Sequence, residues 1–130
     1  MLVNMSGGKK VENIINEIVE PTLLWTNPSP TSAFRAQTVA VNGADYDAYL
    51  VKCKKSTTDE SVVGCAYIYK NASFTPQAVC VGKASVTNTI AGRFVTSAND
   101  TSVVFGDAKG YNATASEFIP THIWGVKFTL

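Results

Sequence analysis

The final stretch of the chain, residues 119–130, constrains the fold most because its side chains alternate in character. Every second position carries a strongly apolar residue, and the residues between are mostly small or polar: the apolar series is Trp124, Val126, Phe128 and Leu130. A period of two residues is typical of a β-strand with one buried face, and Pro120 is tolerated near the start of a strand. We therefore predict a final strand whose apolar series faces the core.

Short segments of similar character recur upstream, separated by turn residues. They predict strands at residues 23–25, 36–42, 46–54, 62–70, 78–86, 92–98 and 102–106, before the last one at 122–130. About eight short strands at this spacing are typical of an antiparallel β-sandwich or jelly roll. The sequence thus predicts an all-β, jelly-roll-like sandwich domain over residues 22–130, with a long exposed loop at 106–117.

The N-terminal segment, residues 1–21, differs from the rest. Apolar residues recur there at helical spacing and Pro21 ends the pattern: the stripe contains Val11, Ile14, Ile15 and Ile18. This predicts a short amphipathic helix, which would be marginal in water unless its stripe is buried. Isoleucine at both of the heptad positions that face a partner helix favours packing of three helices. The stripe is therefore predicted either to join copies of the chain or to dock on its own domain.

Composition excludes several classes of partner. The 130 residues carry a net charge of +1, and 16% of them are charged, so the sequence predicts no nucleic-acid partner. No apolar run approaches the roughly 20 residues of a membrane helix, which predicts no membrane insertion. The first residues contain no apolar segment typical of a secretory signal. No cofactor motif is present.

Three cysteines, Cys53, Cys65 and Cys80, lie in predicted strands. Their odd number and the absence of a Cys-x-x-Cys pair do not indicate a disulfide framework or a zinc site. We predict free thiols that act as small buried hydrophobic residues. If residues 56–61 form a hairpin loop, Cys53 and Cys65 lie on neighbouring strands, and a disulfide between them is the alternative.

Residues able to perform catalysis are scarce. His122 is the only histidine and lies in the final strand, where a structural role is expected, because a general base requires a nucleophile and an orienting carboxylate. Two pairs of carboxylates, Asp45 with Asp47 and Asp59 with Glu60, lack the regular spacing of a calcium loop. We therefore predict no catalytic residue and no metal site.

Recognition is the remaining class of function. Sugar-binding β-domains use exposed aromatic side chains near amides and carboxylates, since an aromatic face combines apolar area with fixed geometry. Phe74, in a turn, and Tyr111 and Phe118, in or beside the long loop, are the candidate ligand-binding residues. Local packing of each loop is the alternative. Trp25 and Trp124 are predicted to lie in the core.

Three stretches together resemble the C-terminal domains of bacteriophage minor structural and tail proteins. They are Leu24-Trp-Thr-Asn-Pro-Ser-Pro30 with Phe34-Arg-Ala-Gln-Thr-Val39, Tyr46-Asp-Ala-Tyr-Leu-Val51, and Ile119-Pro-Thr-His-Ile-Trp-Gly-Val-Lys127. The resemblance spans residues 23–130 and is weaker in the middle; Trp124 stands where such endings usually have tyrosine. These motifs indicate packing rather than a site.

The resemblance implies a non-enzymatic component of the virion, commonly trimeric and often located at a fibre tip or baseplate. Other virion proteins and a host-surface glycan would then be its partners, beside further copies of the chain. A head fibre or capsid decoration protein with a purely architectural role is one alternative. A monomeric carbohydrate-binding module is the other.

Overall fold

The computed structural model describes residues 20–83 and 90–128, and within those ranges the chain is all-β with no helix. The nine strands are β1 (Thr22–Thr26), β2 (Gln37–Ala40), β3 (Ala48–Ser56), β4 (Val62–Tyr69), β5 (Gln77–Lys83), β6 (Ile90–Ala98), β7 (Ser102–Phe105), β8 (Lys109–Gly110) and β9 (Glu117–Val126). The all-β prediction is confirmed. The predicted N-terminal helix and its stripe, Val11, Ile14, Ile15 and Ile18, lie outside the described residues.

The strands form two antiparallel sheets. Sheet A has the order β1-β9-β3-β4, so the last long strand lies between the first strand and the hairpin of β3 and β4. Sheet B has the order β2-β7-β6-β5, and the short β8 pairs with β6 beyond the end of β7. In sheet B, the consecutive strands β5, β6 and β7 lie side by side, and β2, which precedes them in sequence, pairs with the other edge of β7.

The two sheets share one core. Its buried members are Tyr49, Val51, Cys53, Ile68, Ile119 and Ile123 from sheet A, and Val39, Val79, Cys80, Val95, Ala98, Val103 and Phe105 from sheet B. Phe34, in the loop between β1 and β2, closes one side of this core and makes an edge contact with Phe105 at 5.3 Å between ring centroids. Fully burying a side chain of this size contributes about 1.5–3 kcal/mol, so burial between the sheets is the main stabilising contribution.

The prediction that the series Trp124, Val126, Phe128 and Leu130 faces the core is wrong for part of the final strand. Ile119 and Ile123 point into the core, whereas Trp124 is only half-buried on the opposite face of sheet A and Phe128 is 40% exposed. Val126 is buried, and Leu130 lies outside the described residues. Since side chains alternate along a strand, predicting the wrong phase exchanges the two faces.

The phase of this strand was predicted wrongly because of Gly125. On its core side, a Cβ atom would come within 2.5 Å of Cγ of Tyr46, so the ring of Tyr46 occupies the space that a larger residue in β9 would have filled. A register shift in the pairing of β9 with β3, between the pairs Lys52–His122 and Cys53–Pro120, also places an extra residue in β9. The core-facing series thus appears weakly apolar in the sequence although it is buried.

Smaller differences concern the loops. The predicted loop at 106–117 contains the two-residue strand β8, and β9 already begins at Glu117. Trp25 is half-buried and packs against the core beside Phe34, at 6.4 Å between ring centroids. The prediction that both tryptophans lie in the core is therefore wrong for Trp124.

Candidate functional site

The outward face of sheet A carries a row of apolar side chains that crosses all four strands. Leu23 of β1 is paired with Trp124 of β9, Trp124 with Leu50 of β3, and Leu50 with Tyr67 of β4. Paired residues point to the same side of a sheet, and four strands span about 14 Å at the usual spacing. Leu23 and Tyr67 are each 51% exposed, and the two residues between them are half-buried.

Phe128 extends this row. Its ring lies 6.5 Å from that of Tyr67, and its backbone N–H donates to Oδ2 of Asp47 at 2.6 Å, which holds the segment after β9 against the sheet. Leu23, Leu50, Tyr67, Trp124 and Phe128 are called the outer apolar face below. Contiguous exposed apolar patches on a domain mark sites of interaction.

His122 borders the outer apolar face. Its ring stacks on Trp124 with centroids 5.2 Å apart and planes inclined by 17°. Nδ1 lies 2.8 Å from Oγ1 of Thr121, whose hydroxyl donates to the carbonyl of Lys52, so Nδ1 is the donor in the contact with Thr121. Burial, and then the charge of Lys52, lower the pKa of His122. These contacts fit the predicted structural role.

The predicted ligand-binding residues lie in different environments. Phe74, in the loop between β4 and β5, is 88% exposed and contributes nothing to the core. Tyr111, just after β8, is about half exposed. Phe118 is half-buried, packs against the core and has a positive φ of 51°. Their role in ligand binding stays a prediction.

The structure does not bring Phe74 and Tyr111 together. The loop of Phe74 is attached to one end of β6, where the N–H of Asn71 donates to the carbonyl of Ala98. Tyr111 follows Gly110, which pairs with Ala91 at the other end of β6. At about 3.3 Å per residue these anchor points are some 20 Å apart, so one small ligand cannot contact both residues.

A groove with mixed polar and aromatic lining lies between the loop after β1 and strand β2. Trp25, Asn27, Phe34, Gln37 and Val39 line it. The Asn27 side chain is already engaged, since it donates to the carbonyl of Pro120 at 2.9 Å and accepts from the N–H of Ser29 at 2.8 Å. The side-chain amide of Gln37 makes only one described hydrogen bond, a 3.1 Å contact with the Arg35 carbonyl. Of the two amides, Gln37 is therefore the one that can still hydrogen-bond a ligand.

The charged side chains mainly fasten loops. Lys54 is buried and pairs with the exposed Glu60 of the following loop, and Lys70 pairs with Asp100 at 2.7 Å. Hydrogen bonds from the backbone and side chain of Ser61 lower the pKa of Asp59. Across residues 20–83 and 90–128, no three side chains of the metal-binding types form a group that could hold an ion.

Two features were missed by the reasoning from sequence. The first is the outer apolar face. The sequence indicated it only by apolar residues in both alternating series of the final stretch. The second is Arg93, which is fully buried in β6 and donates to three backbone carbonyls, of Gly106, Glu117 and Phe118, at 2.8–3.0 Å. Its signal was a single charge within the otherwise uncharged strand Ile90–Ala98.

The three cysteines are free. Cys53 and Cys80 are buried, as predicted, but Cys65 is exposed. Although β3 and β4 are neighbours, Cys53 is paired with Gly64, and Cys65 is paired with Lys52. Cys53 and Cys65 therefore point to opposite faces of sheet A, and the alternative of a disulfide between them is wrong.

Comparisons with protein-family models, with curated proteins and with solved structures found no match to this chain. No helix within the described part of the chain is long and apolar enough to cross a membrane.

Proposed function

We propose that this protein is a non-enzymatic structural component of a bacteriophage virion, which assembles as a homotrimer and contacts other virion proteins. The scaffold in this proposal is a jelly-roll-like β-sandwich over residues 22–130. The observation that carries it is the outer apolar face, two of whose members, Leu23 and Tyr67, are each 51% exposed. The resemblance in residues 23–130 supports the virion as the location.

Further copies of this chain are the proposed occupant of the outer apolar face. Residues 11–18 carry the predicted apolar stripe and end shortly before β1, whose Leu23 is the first member of the face. In this proposal the stripe and the face belong to one interface between copies of the chain. The face itself carries little charge, with Lys52 beside it, so like-charge repulsion does not oppose self-association.

The mass of the protein in solution tests this proposal. At micromolar concentration we expect the mass of a trimer by sedimentation or light scattering. Leu23→Glu and Tyr67→Glu should lower it, because each places a charge inside the proposed interface while the exposed site keeps the fold intact. Ile14→Asp with Ile18→Asp should do the same for the stripe.

Ile90→Glu is the matched control. Ile90 lies in sheet B and is 64% exposed, so the same charge is added to an equally accessible apolar site away from the face. Its mass should equal that of the parent. A parental protein that is monomeric at micromolar concentration would contradict the proposed trimer. An unchanged assembled mass in the Leu23 and Tyr67 variants would show that the outer apolar face is not the interface.

Recognition of a host-surface glycan is the second part of the proposal. Phe74 favours it, because a phenyl ring that is 88% exposed on a loop offers apolar area without serving the core. Tyr111 and Phe118 are the other proposed ligand-binding residues. Their separation means that Phe74 and Tyr111 would belong to distinct subsites.

A glycan array with the parental protein and with Phe74→Ala, Tyr111→Ala and Phe118→Ala tests this part. Loss of a signal in Phe74→Ala, with an unchanged melting temperature, would support a site on that loop. Phe118→Ala is expected to lower stability as well, because Phe118 packs against the core. Silence of the parental protein across the array would favour an architectural role, such as head fibre or capsid decoration.

A further inference from the structure

Two buried cysteines from different sheets meet in the core. Cys53 of β3 is 0% exposed and Cys80 of β5 is 5% exposed. Cys53 is paired with Gly64 of β4, and a Cβ atom added to Gly64 would lie only 2.3 Å from Cβ of Cys80. Cys80 therefore occupies the space above Gly64, immediately beside Cys53.

This placement allows the Cβ separation of a disulfide. Opposed residues of an antiparallel pair have Cβ atoms about 4.5–5.5 Å apart, and Cys80 is displaced by 2.3 Å from the position opposite Cys53. The separation of about 3.5–4.5 Å that a disulfide requires lies within the resulting range. Interaction between the two neighbouring thiols raises the pKa of Cys53 and lowers that of Cys80.

Arg93 supplies a positive charge next to Cys80. The two residues are directly paired between β5 and β6, and Arg93 is fully buried. Among the described residues no carboxylate forms an ion pair with it, and its guanidinium binds only backbone carbonyls and the face of the Phe34 ring, at 5.2 Å. The backbone N–H and the charge of Arg93 add to the lowering of the Cys80 pKa.

We propose that Cys80 and Cys53 form a peroxide-sensitive pair that closes into a disulfide between the two sheets. The observations are independent of the proposed virion function. A thiol beside an arginine, with a second thiol next to it, is an arrangement in which oxidation can end in a disulfide. In this pair Cys80 is the attacking residue and Cys53 is the resolving residue.

The chemistry balances with hydrogen peroxide as the oxidant. The Cys80 sulfur attacks one peroxide oxygen, an S–O bond forms as the O–O bond breaks, and the Cys80 proton leaves with the departing hydroxide as water. The Cys53 sulfur then attacks the Cys80 sulfur, forming the S–S bond and breaking the S–O bond. The released hydroxide takes the Cys53 proton as a second water, so two electrons pass from the thiols to one peroxide.

Peroxide titration of Cys65→Ser tests the proposal, because that variant removes the exposed third thiol and leaves the pair. We expect stoichiometric peroxide to abolish both free thiols, to lower the mass by about 2 Da, and to join the peptides that contain residues 53 and 80. Dithiothreitol should restore both thiols. The oxidised protein should melt roughly 10 °C higher than the reduced protein, since the cross-link closes a long loop.

Two further variants in the Cys65→Ser background assign the roles. Cys53→Ser should stop at a sulfenic acid that dimedone traps at Cys80, whereas Cys80→Ser should keep a free thiol. Persistence of two thiols after peroxide, or a disulfide found only between chains, would overturn the proposal. Trapping at Cys53 instead of Cys80 would overturn the assignment of the attacking residue.

Arg93→Met tests the influence of the charge. Oxidation at pH 7 should slow by about tenfold, and the difference from the parental rate should shrink as the pH rises, because a higher pH ionises the thiol without the charge of Arg93. Arg93→Lys should recover part of the rate. A purely structural effect of Arg93 would not vary with pH in this way, and the cysteine variants decide the proposal if Arg93→Met does not fold.

Discussion

At the scale of single residues, the two sheets approach each other closely at Gly64. A Cβ atom there would lie 2.3 Å from Cβ of Cys80 and 2.8 Å from the carbonyl oxygen of Val79. Because one of these neighbours is backbone, the clash cannot be relieved by rotating a side chain. We predict that Gly64→Ala lowers the free energy of unfolding by about 1–3 kcal/mol, the usual cost of overpacking, as measured by urea denaturation.

Gly82→Ala is the matched control, since Gly82 lies in β5 and a Cβ atom there meets nothing within 4 Å. Replacing a strand glycine in open space should leave stability unchanged or raise it by up to about 1 kcal/mol, because the unfolded chain loses conformational freedom. Equal effects of the two substitutions would contradict the close approach of β4 and β5.

The lone histidine gives the protein a predictable response to pH. Burial first, and Lys52 second, hold the pKa of His122 in the folded state below its ordinary value of about 6.5. The unfolded state therefore binds the proton more readily, and the free energy of unfolding should decrease as pH falls below about 6.5, levelling off below the folded-state pKa. Urea denaturation between pH 5 and 7.5 measures this slope.

His122→Gln should abolish the slope in that window, whereas Lys52→Met should reduce it, because it removes the second cause of the shift. The lowered pKa of Asp59 acts only at more acidic pH and does not interfere. The chain has one histidine, so an NMR titration of its ring reads the folded-state pKa without ambiguity. A value above 6.5 would contradict this prediction.

At the scale of elements, the strands could be predicted from alternation, but the faces could not. The final strand was predicted at residues 122–130 but lies at Glu117–Val126, and Ile123 rather than Trp124 faces the core. The sequence contains apolar residues in both series of this strand, because one face packs on sheet B and the other forms the outer apolar face. Only the position of Tyr46, from a different part of the chain, explains why Gly125 lies on the buried side.

One side chain bridges the ends of β4 and β5. Gln77 accepts from the N–H of Tyr69 and donates to its carbonyl, both at 2.9 Å, so its amide imitates a neighbouring strand. Gln77→Ala removes both bonds at the place where the chain passes from sheet A to sheet B. We predict a loss of about 1–2 kcal/mol in the free energy of unfolding, and faster amide exchange at Tyr69.

Gln37→Ala serves as the control for this joint. Its side chain donates only to the carbonyl of Arg35, two residues away, at 3.1 Å. That substitution should change stability by less than about 0.5 kcal/mol. Gln77→Glu should fall between the two, because its carboxylate still accepts from Tyr69 but cannot donate. Equal stability of the Gln77 and Gln37 alanine variants would show that the joint rests on other contacts.

At the scale of the whole molecule, residues 20–83 and 90–128 supply a core with members from both sheets. Within these described residues, the buried members of the cluster lie between Phe34 and Ile123. We therefore predict that a variant lacking residues 1–19 keeps the strand signal in circular dichroism and unfolds cooperatively, with an unfolding free energy per chain within about 1 kcal/mol of the parent. Thermal and urea denaturation at low protein concentration, where both variants are monomeric, measure this.

The same variant separates the two uses predicted for residues 11–18. If the stripe joins copies of the chain, the truncated protein should lose the assembled mass at micromolar concentration while its stability as a monomer stays the same. If the stripe docks on its own domain, the truncated protein should become less stable and expose more apolar surface to a fluorescent dye. A truncated protein that does not fold would contradict the domain boundary at residues 21–22.

The sequence by itself determined the all-β class, most strand positions and the scarcity of catalytic side chains, because these depend on local alternation, turn residues and composition. Only the tertiary structure decided which face of each strand is buried, since that depends on residues distant in the chain, as Tyr46 and Gly125 illustrate. It also brought Cys53, Cys80 and Arg93 together and arranged Leu23, Leu50, Tyr67 and Trp124 in one row. These groupings arise from strand pairing across the sheets, which sequence spacing does not encode.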